Sequence, residues 1–210
     1  MLEKKYKSRL DETAQQYISY AVDGAERMKR LILDLLEYSR IGTSKELLMD
    51  TDMNAVAAQV LETFSSKIND AGGVTKVQLL PVIKANKTQM TQLFQNLVSN
   101  SLKYNTSFVP EIEIGCEDKG DTWQFFIKDN GIGIEGKFFD KVFVIFQRLH
   151  NKSRFSGTGI GLAVCKKIIE RHGGTIWIES VAGEGATFSL LSKNRSTNGY
   201  EGSTHFTGRR

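Results

Sequence analysis

The longest regular pattern in the sequence is an apolar stripe near the start of the chain. Apolar residues recur at spacings of three and four along residues 14–36, and charged residues fill most positions between them. This spacing predicts one amphipathic helix over residues 11 to about 40. A stripe of this length needs a second helix to cover it, which indicates a bundle or a coiled coil. The neighbouring sequence offers no such helix, so we expect a homodimer or other self-association through residues 11–40.

The rest of the pattern alternates between helices and strands. Helical spacing predicts three further helices, over roughly residues 53–70, 86–104 and 162–172. Two-residue alternation predicts a strand from about residue 74 to Pro81 and two hairpins, which turn at residues 118–121 and 183–185. These elements predict an α+β fold, a two-layer α/β sandwich with a mixed, largely antiparallel sheet and helices on one face. We expect a helical arm over residues 1–44, this domain over residues 45–192, and a polar, disordered tail over residues 193–210.

Composition and charge exclude several classes of protein. Hydrophobic residues make up 40% and charged residues 25% of the chain, which is typical of a soluble globular protein. Charges interrupt every apolar run, so no membrane segment is expected. The net charge of +4 is spread along the chain, which argues against a nucleic-acid partner. Cys116 and Cys165 fall on apolar positions without metal-ligand spacing, and this favours buried, reduced thiols in a cytoplasmic protein.

The predicted helix over residues 86–104 carries an unusual polar face. Four polar side chains fall within a sector of roughly 80° on a helical projection: Gln92, Asn96, Asn100 and Lys103. Asparagine is a poor helix former, so two asparagines one turn apart indicate a functional role. An asparagine oxygen suits Mg²⁺ and a lysine suits phosphate. The face therefore suits a magnesium-bound phosphate compound, with a plain solvated face as the alternative.

Two glycine-rich runs lie after this helix. Asp-Asn-Gly-Ile-Gly-Ile at residues 129–134 follows a predicted strand, and its carboxylate, glycines and isoleucines suit a flat ligand with an exocyclic amine. The same letters also make an excellent turn. Gly-Thr-Gly-Ile-Gly-Leu at residues 157–162 opens a predicted helix, where free N–H groups favour an anion. It lacks the Gly-Lys-Ser/Thr ending of a Walker motif and the βαβ setting of a dinucleotide motif. Each run alone is weak evidence.

In their order and spacing, these segments resemble the signature boxes of the histidine-kinase catalytic domain, a branch of the superfamily shared with gyrase-type ATPases. The boxes are the N box (QLFQNLVSNSLKY, residues 92–104), the first glycine box (residues 129–134), the F box (FFDKVFVIFQRLH, residues 138–150), the second glycine box (residues 157–162) and a closing turn (GEGATF, residues 183–188). The resemblance covers about residues 45–192. LILDLLEYSRI at residues 31–41 is similar to the end of the second helix of the family's dimerisation and phosphotransfer bundle, especially in the phytochrome-related branch.

The resemblance implies how the matching residues would hold the adenine of ATP. It makes Asp129 the acceptor for the adenine amino group and places Tyr104 beside the base. Gly131 and Gly133 would leave room for the ring. It assigns the other nucleotide contacts to both glycine boxes and the closing turn: Ile134, Gly157, Thr158, Gly159, Ile160, Gly161, Leu162 and Thr187.

The resemblance also implies the roles at the phosphates. Asn100 would be the Mg²⁺ ligand, and the catalytic residues would be Asn96, Lys103 and Arg148. Lys103 would contact phosphate, and Arg148 would stabilise the γ-phosphate during transfer. Residues 149–156 would form a mobile lid over the nucleotide. Two packing residues are expected to position this lid: Phe143 and Phe146.

One position separates the branches of this superfamily. Members of the gyrase branch that hydrolyse ATP carry a glutamate one turn before the metal-binding asparagine, because water attack needs a base. Asn96 stands at this position and cannot act as one. The resemblance therefore favours a protein-histidine kinase over a gyrase- or chaperone-type ATPase. A serine-phosphorylating relative and a module that only keeps the fold are the remaining alternatives.

None of the three histidines suits a phosphoacceptor. In the family the acceptor lies on the bundle and an acidic residue follows it, whereas Asn151, Gly173 and Phe206 follow the histidines here. His172 ends a predicted helix, where a histidine more often caps carbonyl groups. We therefore expect the histidine to be supplied by a missing first bundle helix, with a response regulator receiver domain as the next partner. No self-phosphorylation of this chain is expected.

Overall fold

The helices and strands follow the sequence pattern along most of the chain. The computed structural model describes residues 11–41, 47–105, 109–149, 155 and 157–192. The helices in these ranges are α1 (Glu12–Arg40), α2 (Met53–Asp70), α3 (Lys87–Lys103) and α4 (Gly161–Arg171). The strands are β1 (Met49–Asp52), β2 (Val74–Val77), β3 (Val82–Ala85), β4 (Glu111–Asp118), β5 (Trp123–Asp129), β6 (Thr175–Ser180) and β7 (Ala186–Ser192). Two short 3₁₀ turns follow β5: Gly136–Phe138 and Lys141–Phe143.

Five strands form the main sheet, in the order β2-β4-β5-β7-β6. β2 runs parallel to β4, and the other three pairs are antiparallel. Both predicted hairpins are confirmed, because Asp118 pairs with Trp123 across the first turn and Ser180 with Ala186 across the second. The mixed, largely antiparallel sheet predicted from the sequence is therefore correct.

One part of the strand prediction is wrong. The strand expected from about residue 74 to Pro81 is shorter, since β2 ends at Val77, and a further strand that was not predicted, β3, begins at Val82. β3 pairs with β1, which was not predicted, in a separate two-stranded sheet. Proline has no N–H for a ladder, so the chain leaves one sheet before Pro81 and enters another after it. The sequence of β1, Met-Asp-Thr-Asp, lacks the apolar alternation that marks a half-buried strand.

The core lies between the main sheet and helices α2, α3 and α4. Alternate strand residues are buried against these helices: Ile112, Ile114, Phe125, Ile127, Phe188 and Leu190. The helices contribute, among others, Val56, Val60, Leu93, Phe94, Leu97 and Ile168. Burying one such large apolar side chain contributes about 2 kcal/mol. The helices therefore cover one face of the sheet, as the sequence predicted.

The long N-terminal helix was predicted correctly in extent, but most of its apolar stripe is uncovered. Tyr17 and Met28 are 66% and 61% exposed. Only the last turns reach the domain, where Ile41 is buried and Leu31 and Tyr38 pack against the core. The predicted self-association of this stripe remains a prediction.

The expected end of the arm near residue 44 and the expected tail lie outside the described residues. None of the described helices is long and apolar enough to cross a membrane.

The two cysteines differ in their surroundings. Cys165 is completely buried in α4, and burial raises the pKa of its thiol to about 12. Cys116 is only half-buried, so the expectation of two buried thiols is wrong for this residue. Its pKa is also raised, by burial and then by the charge of Asp118. Both thiols are free.

His172 joins the end of α4 to the start of α3. Its side chain is buried, and Nδ1 lies 2.7 Å from the carbonyl oxygen of Ile168, which confirms its predicted capping role. Nε2 accepts a hydrogen bond of 3.0 Å from the backbone N–H of Asn86, the N-cap residue of α3. Because Nε2 accepts, Nδ1 carries the proton and the ring is neutral. Burial lowers the pKa of His172, the charge of Arg171 lowers it further, and the bond to Ile168 opposes the shift.

The lowered pKa of His172 predicts a loss of stability in acid. Below about pH 6.5 the histidine is protonated in the unfolded chain, whereas the buried ring in the folded chain stays neutral. The free energy of unfolding should therefore decrease as the pH is lowered. His172→Gln should lower stability by about 1–3 kcal/mol near neutral pH, because it disturbs two buried hydrogen bonds. Urea denaturation between about pH 7.5 and 5.5 should show a shallower pH dependence in this variant than in the wild type. If stability depended on pH equally in the variant and the wild type, His172 would not be the group whose protonation destabilises the fold.

Candidate functional site

A cavity of about 380 Å³ lies where α3, the segment after β5, the start of α4 and the end of α1 meet. Its volume is in the range of small-molecule sites. Fourteen of the sixteen residues predicted to bind the nucleotide or take part in catalysis line it: Asn96, Asn100, Lys103, Tyr104, Asp129, Gly133, Ile134, Arg148, Gly157, Thr158, Gly159, Ile160, Gly161 and Leu162. Segments that are distant in sequence therefore converge on one cavity.

Asp129 is a buried carboxylate at the end of β5. Its Oδ1 accepts hydrogen bonds from the backbone N–H groups of Gly131, at 2.9 Å, and Ala186, at 3.2 Å. Its Oδ2 lies 3.1 Å from the hydroxyl oxygen of Ser101, a buried residue of α3 that the sequence did not indicate. Burial raises the pKa of Asp129, and these three hydrogen bonds oppose the shift. Oδ1 accepts two hydrogen bonds and Oδ2 one, so Oδ2 is the oxygen with more remaining capacity to accept from a ligand.

The glycines after Asp129 allow backbone segments to touch. Gly133 has a φ of 66°, and a Cβ there would lie 2.1 Å from the carbonyl oxygen of Val181. Gly131 does not line the cavity, but it packs against two residues that do. A Cβ at Gly131 would lie 2.9 Å from the carbonyl oxygen of Tyr104 and 3.0 Å from Oδ1 of Asp129. The two glycines thus position Asp129 and Tyr104 relative to the turn after β6.

The polar face of α3 forms one wall. Asn96 donates a hydrogen bond of 3.3 Å from Nδ2 to the carbonyl oxygen of Gly161, which links α3 to the first residue of α4. The ammonium of Lys103 lies 3.0 Å from the hydroxyl of Tyr104 and 4.5 Å from the centre of its ring. Asn100 lies between Asn96 and Lys103 in the sequence of α3 and also lines the cavity. Gln92, the fourth member of the predicted face, does not line the cavity.

The second glycine run lies opposite Lys103. Gly157 has a φ of 144°, and a Cβ there would lie 2.8 Å from Nζ of Lys103. Gly159 has a φ of 77°, where only glycine is unstrained, and its carbonyl oxygen accepts from the backbone N–H of Phe146. α4 then begins at Gly161, and its N-cap residue Ile160 makes no side-chain capping bond. Uncapped N–H groups and the helix dipole give this end of the cavity a preference for anions.

Arg148 lines the cavity beside the glycine run. Its guanidinium donates to the carbonyl oxygen of Phe155, and the ring of Phe155 lies 4.9 Å from that of Tyr104. Of the predicted lid, only Leu149 and Phe155 lie within the described residues. Phe143 packs against the core as expected. Phe146 is 53% exposed with a φ of 64°, so its predicted packing role is wrong.

The structure also corrects the list of lining residues. Thr187 was predicted to contact the ligand, but Ala186 and Phe188 line the cavity instead. Successive residues of a strand point to opposite faces, so Thr187 lies on the other face of β7. Strand alternation is the signal that identifies the correct pair. Eight other lining residues were not assigned to the ligand, although Ile132 lies in the first glycine box and Leu149 begins the predicted lid: Asp34, Glu37, Ser99, Ile132, Val142, Gln147, Leu149 and Val164.

Known proteins share this sequence and this fold. Cyanobacterial phytochrome A of Nostoc sp. (strain PCC 7120) is 44% identical over 188 residues, which are 90% of this chain and 25% of the relative. The chain spans about a quarter of the length of this relative and of two other phytochrome or phytochrome-like relatives. The full-length structure of ShkA in complex with AMPPNP aligns with a TM-score of 0.72 at 21% identity, over 92% of this chain and 42% of that one. Histidine kinase ThkA, in a complex with the response regulator protein TrrA, aligns with a TM-score of 0.68 at 24% identity, over 92% and 55% of the two chains.

The family assignment rests on the part of the chain that builds most of the cavity. Residues 85–195 match the family described as histidine kinase-, DNA gyrase B-, and HSP90-like ATPases. This range contains α3, both glycine runs and the strand that carries Asp129. The fold is that of histidine-kinase catalytic domains, as predicted. The chain therefore belongs to the histidine kinase-, DNA gyrase B- and HSP90-like ATPase family.

Proposed function

We propose that this chain binds Mg²⁺-ATP in the cavity and is the ATP-binding catalytic domain of a two-component sensor histidine kinase. In this role it transfers the γ-phosphoryl group to a histidine that lies outside this sequence. The observation that carries the proposal is the convergence of Asp129, the polar face of α3 and the glycine run at residues 157–161 on one cavity. The relatives support the histidine-kinase branch of the family, since they include the phytochromes of Nostoc and sensor kinases such as WalK.

The adenine end of the site is built around Asp129. We assign Oδ2 of Asp129 as the acceptor for the adenine amino group, because Oδ1 is held by two backbone donors. Tyr104 and Ile134 line the same cavity and supply flat and apolar contacts to the base. A buried acceptor that needs an N–H partner discriminates against guanine, whose corresponding position is a carbonyl oxygen.

The phosphate end is formed by cations and backbone donors. Lys103 and Arg148 contribute positive charge, and the start of α4 contributes N–H groups. Asn100 offers an amide oxygen to Mg²⁺. No cluster of three His, Cys, Asp or Glu residues within the described ranges could hold a metal. This donor set fits a magnesium ion that is carried mainly by phosphates and water, with one protein ligand. The ion would neutralise phosphate charge in the site.

Asn96 supports transfer to a protein nucleophile over transfer to water. Its amide donates to Gly161, and an amide cannot remove a proton from water. Lys103 and Arg148 would stabilise the charge on the phosphoryl group while a histidine attacks it. We propose that this histidine lies on the kinase's own first bundle helix and that a response regulator receives the phosphoryl group next. Such a kinase domain would lie in the cytoplasm, and α1 would contribute to its dimer.

Phosphoryl transfer to a separate histidine-bearing helix tests this function. The full chain, Mg²⁺-ATP and a helical hairpin that carries the acceptor histidine of a phytochrome-type kinase should give acid-labile phosphate on the hairpin and none on the chain. A hairpin with His→Gln is the matched control. Arg148→Ala should reduce the transfer rate by about a hundredfold or more while the protein remains folded. Steady ATP hydrolysis without transfer would instead favour a gyrase- or chaperone-type ATPase, and phosphoserine on a partner would favour the serine-phosphorylating alternative.

A further inference from the structure

Two acidic side chains of α1 enter the cavity. Asp34 and Glu37 lie about one turn apart on this helix, and both line the cavity with Lys103 and Arg148. Neither belongs to the family match, which begins at residue 85. The end of α1 is therefore part of the wall of the site.

The contact of Asp34 is with the glycine run itself. Its Oδ2 accepts a hydrogen bond of 2.5 Å from the hydroxyl of Thr158. Thr158 lies between Gly157 and Gly159, two residues before the N-cap of α4. A carboxylate thus lies at the end of the cavity that favours anions. It also lies in the part of the cavity that contains Lys103 and Arg148, the cations assigned above to phosphate.

The surroundings of Glu37 indicate that negative charge is crowded here. Burial raises the pKa of Glu37, and the charge of Asp34 raises it further. Like charges in a partly buried site repel each other more strongly than in water. A bound triphosphate would add several negative charges to the same space. The two carboxylates and the phosphates therefore cannot all occupy this end of the cavity at low free energy.

The end of α1 is held to the domain independently of Asp34. Nζ of Lys167 donates to the carbonyl oxygen of Tyr38 at 2.8 Å and lies 4.2 Å from the centre of the Tyr38 ring. The guanidinium of Arg171 donates to the carbonyl oxygen of Ile41. These bonds cap the C-terminal end of α1 with positive charge. They keep the helix beside the cavity even when the bond between Asp34 and Thr158 is broken.

We propose that Asp34 is an internal competitor of the nucleotide phosphates. The carboxylate occupies the glycine run when the site is empty, and phosphates must displace it to bind. The contact between α1 and the glycine run is then broken whenever ATP binds, so that this contact and the affinity for nucleotide are coupled. This inference rests on the proposed function, because it requires phosphates to bind at residues 157–161.

Calorimetry with three ligands tests the competition. Adenosine, Mg²⁺-ADP and Mg²⁺-ATP are titrated into the full chain, Asp34→Asn and Asp34→Ala. Both variants should bind Mg²⁺-ATP about tenfold more tightly than the wild type, the effect of about one charge-assisted hydrogen bond. Their affinity for adenosine should be unchanged, because adenosine carries no phosphate, and ADP should show an intermediate gain. Asp23→Asn is the matched control, since it removes one charge from an exposed position about three turns away on the same helix and should leave all three affinities unchanged.

Each other outcome is decisive. Unchanged or weaker binding of Mg²⁺-ATP in both Asp34 variants would overturn the competition while leaving the proposed function in place. An equal gain for adenosine would also overturn it, because the effect would then be unrelated to phosphate. If neither the wild type nor the variants bound any of the three ligands, the proposed function itself would fail. Binding of Mg²⁺-ATP by the Asp34 variants alone would support both proposals.

Discussion

Replacing Asp129 by asparagine is expected to weaken the binding of Mg²⁺-ATP by at least about a hundredfold while the protein remains folded. The fold is kept because asparagine retains the oxygen that accepts from Gly131 and Ala186. Its amide nitrogen then takes the place of Oδ2. A donor therefore faces the amino group of adenine, which is also a donor, and two buried donors remain unsatisfied. The carboxylate is disfavoured by burial, as its raised pKa indicates, so its loss costs the folded protein little.

The experiment compares Asp129→Asn with Asp121→Asn. Asp121 lies in the exposed turn of the β4–β5 hairpin, whose second strand ends at Asp129, so both variants lose one carboxylate from the same hairpin. Calorimetry should show nucleotide affinity lost only at position 129, and thermal unfolding should show two folded proteins. Equal affinity in Asp129→Asn and wild type would mean that adenine is not recognised at this carboxylate, and the assignment of the cavity would be wrong.

The sequence predicted the site better than the parts of the fold that surround it. The glycine runs and the asparagines of α3 could be recognised from the sequence alone, because turns, close backbone approach and metal binding each require particular residue types. Strands β1 and β3 were harder to find. β1 contains two aspartates in four residues, and it is stabilised by its pairing with β3 and by the bond from the Thr51 hydroxyl to the carbonyl oxygen of Ala85. Such pairing joins segments that are thirty or more residues apart in the sequence, so the local pattern of apolar and polar residues does not predict it.

The acidic residues of α1 show the same limit at the site. Asp34 and Glu37 read as ordinary charged positions beside an apolar stripe, and nothing in their spacing indicates a cavity. They reach it because the end of α1 packs against the core and is bonded to Lys167 and Arg171 of α4. The error at Thr187, in contrast, could have been avoided from the sequence. Alternate residues of a strand face the same side, and this rule identifies Ala186 and Phe188 as the lining residues of β7. The residues whose chemistry is set by their local sequence could therefore be predicted, whereas contacts between elements distant in sequence could not.

The turn between β6 and β7 offers a sharp test of how the fold holds Asp129. Gly183 and Gly185 both have a φ of 90°, a conformation that alanine adopts only with strain. A Cβ on Gly183 would meet nothing within 4 Å. A Cβ on Gly185 would lie 2.0 Å from the carbonyl oxygen of Asp129 and 2.8 Å from the Cα of Asn130. The two positions thus share the same backbone strain and differ in the steric clash.

Gly183→Ala is expected to lower the free energy of unfolding by about 1–2 kcal/mol, the cost of the left-handed conformation alone. Gly185→Ala should cost at least about 4 kcal/mol, because the clash is with backbone that cannot move without distorting β5. It should also weaken nucleotide binding in whatever fraction remains folded, since the displaced Ala186 N–H is one of the donors that orient Asp129. Urea denaturation and calorimetry on both variants measure the two effects. Equal losses of stability would mean that strain alone decides, and that contact between this turn and Asp129 does not position the carboxylate.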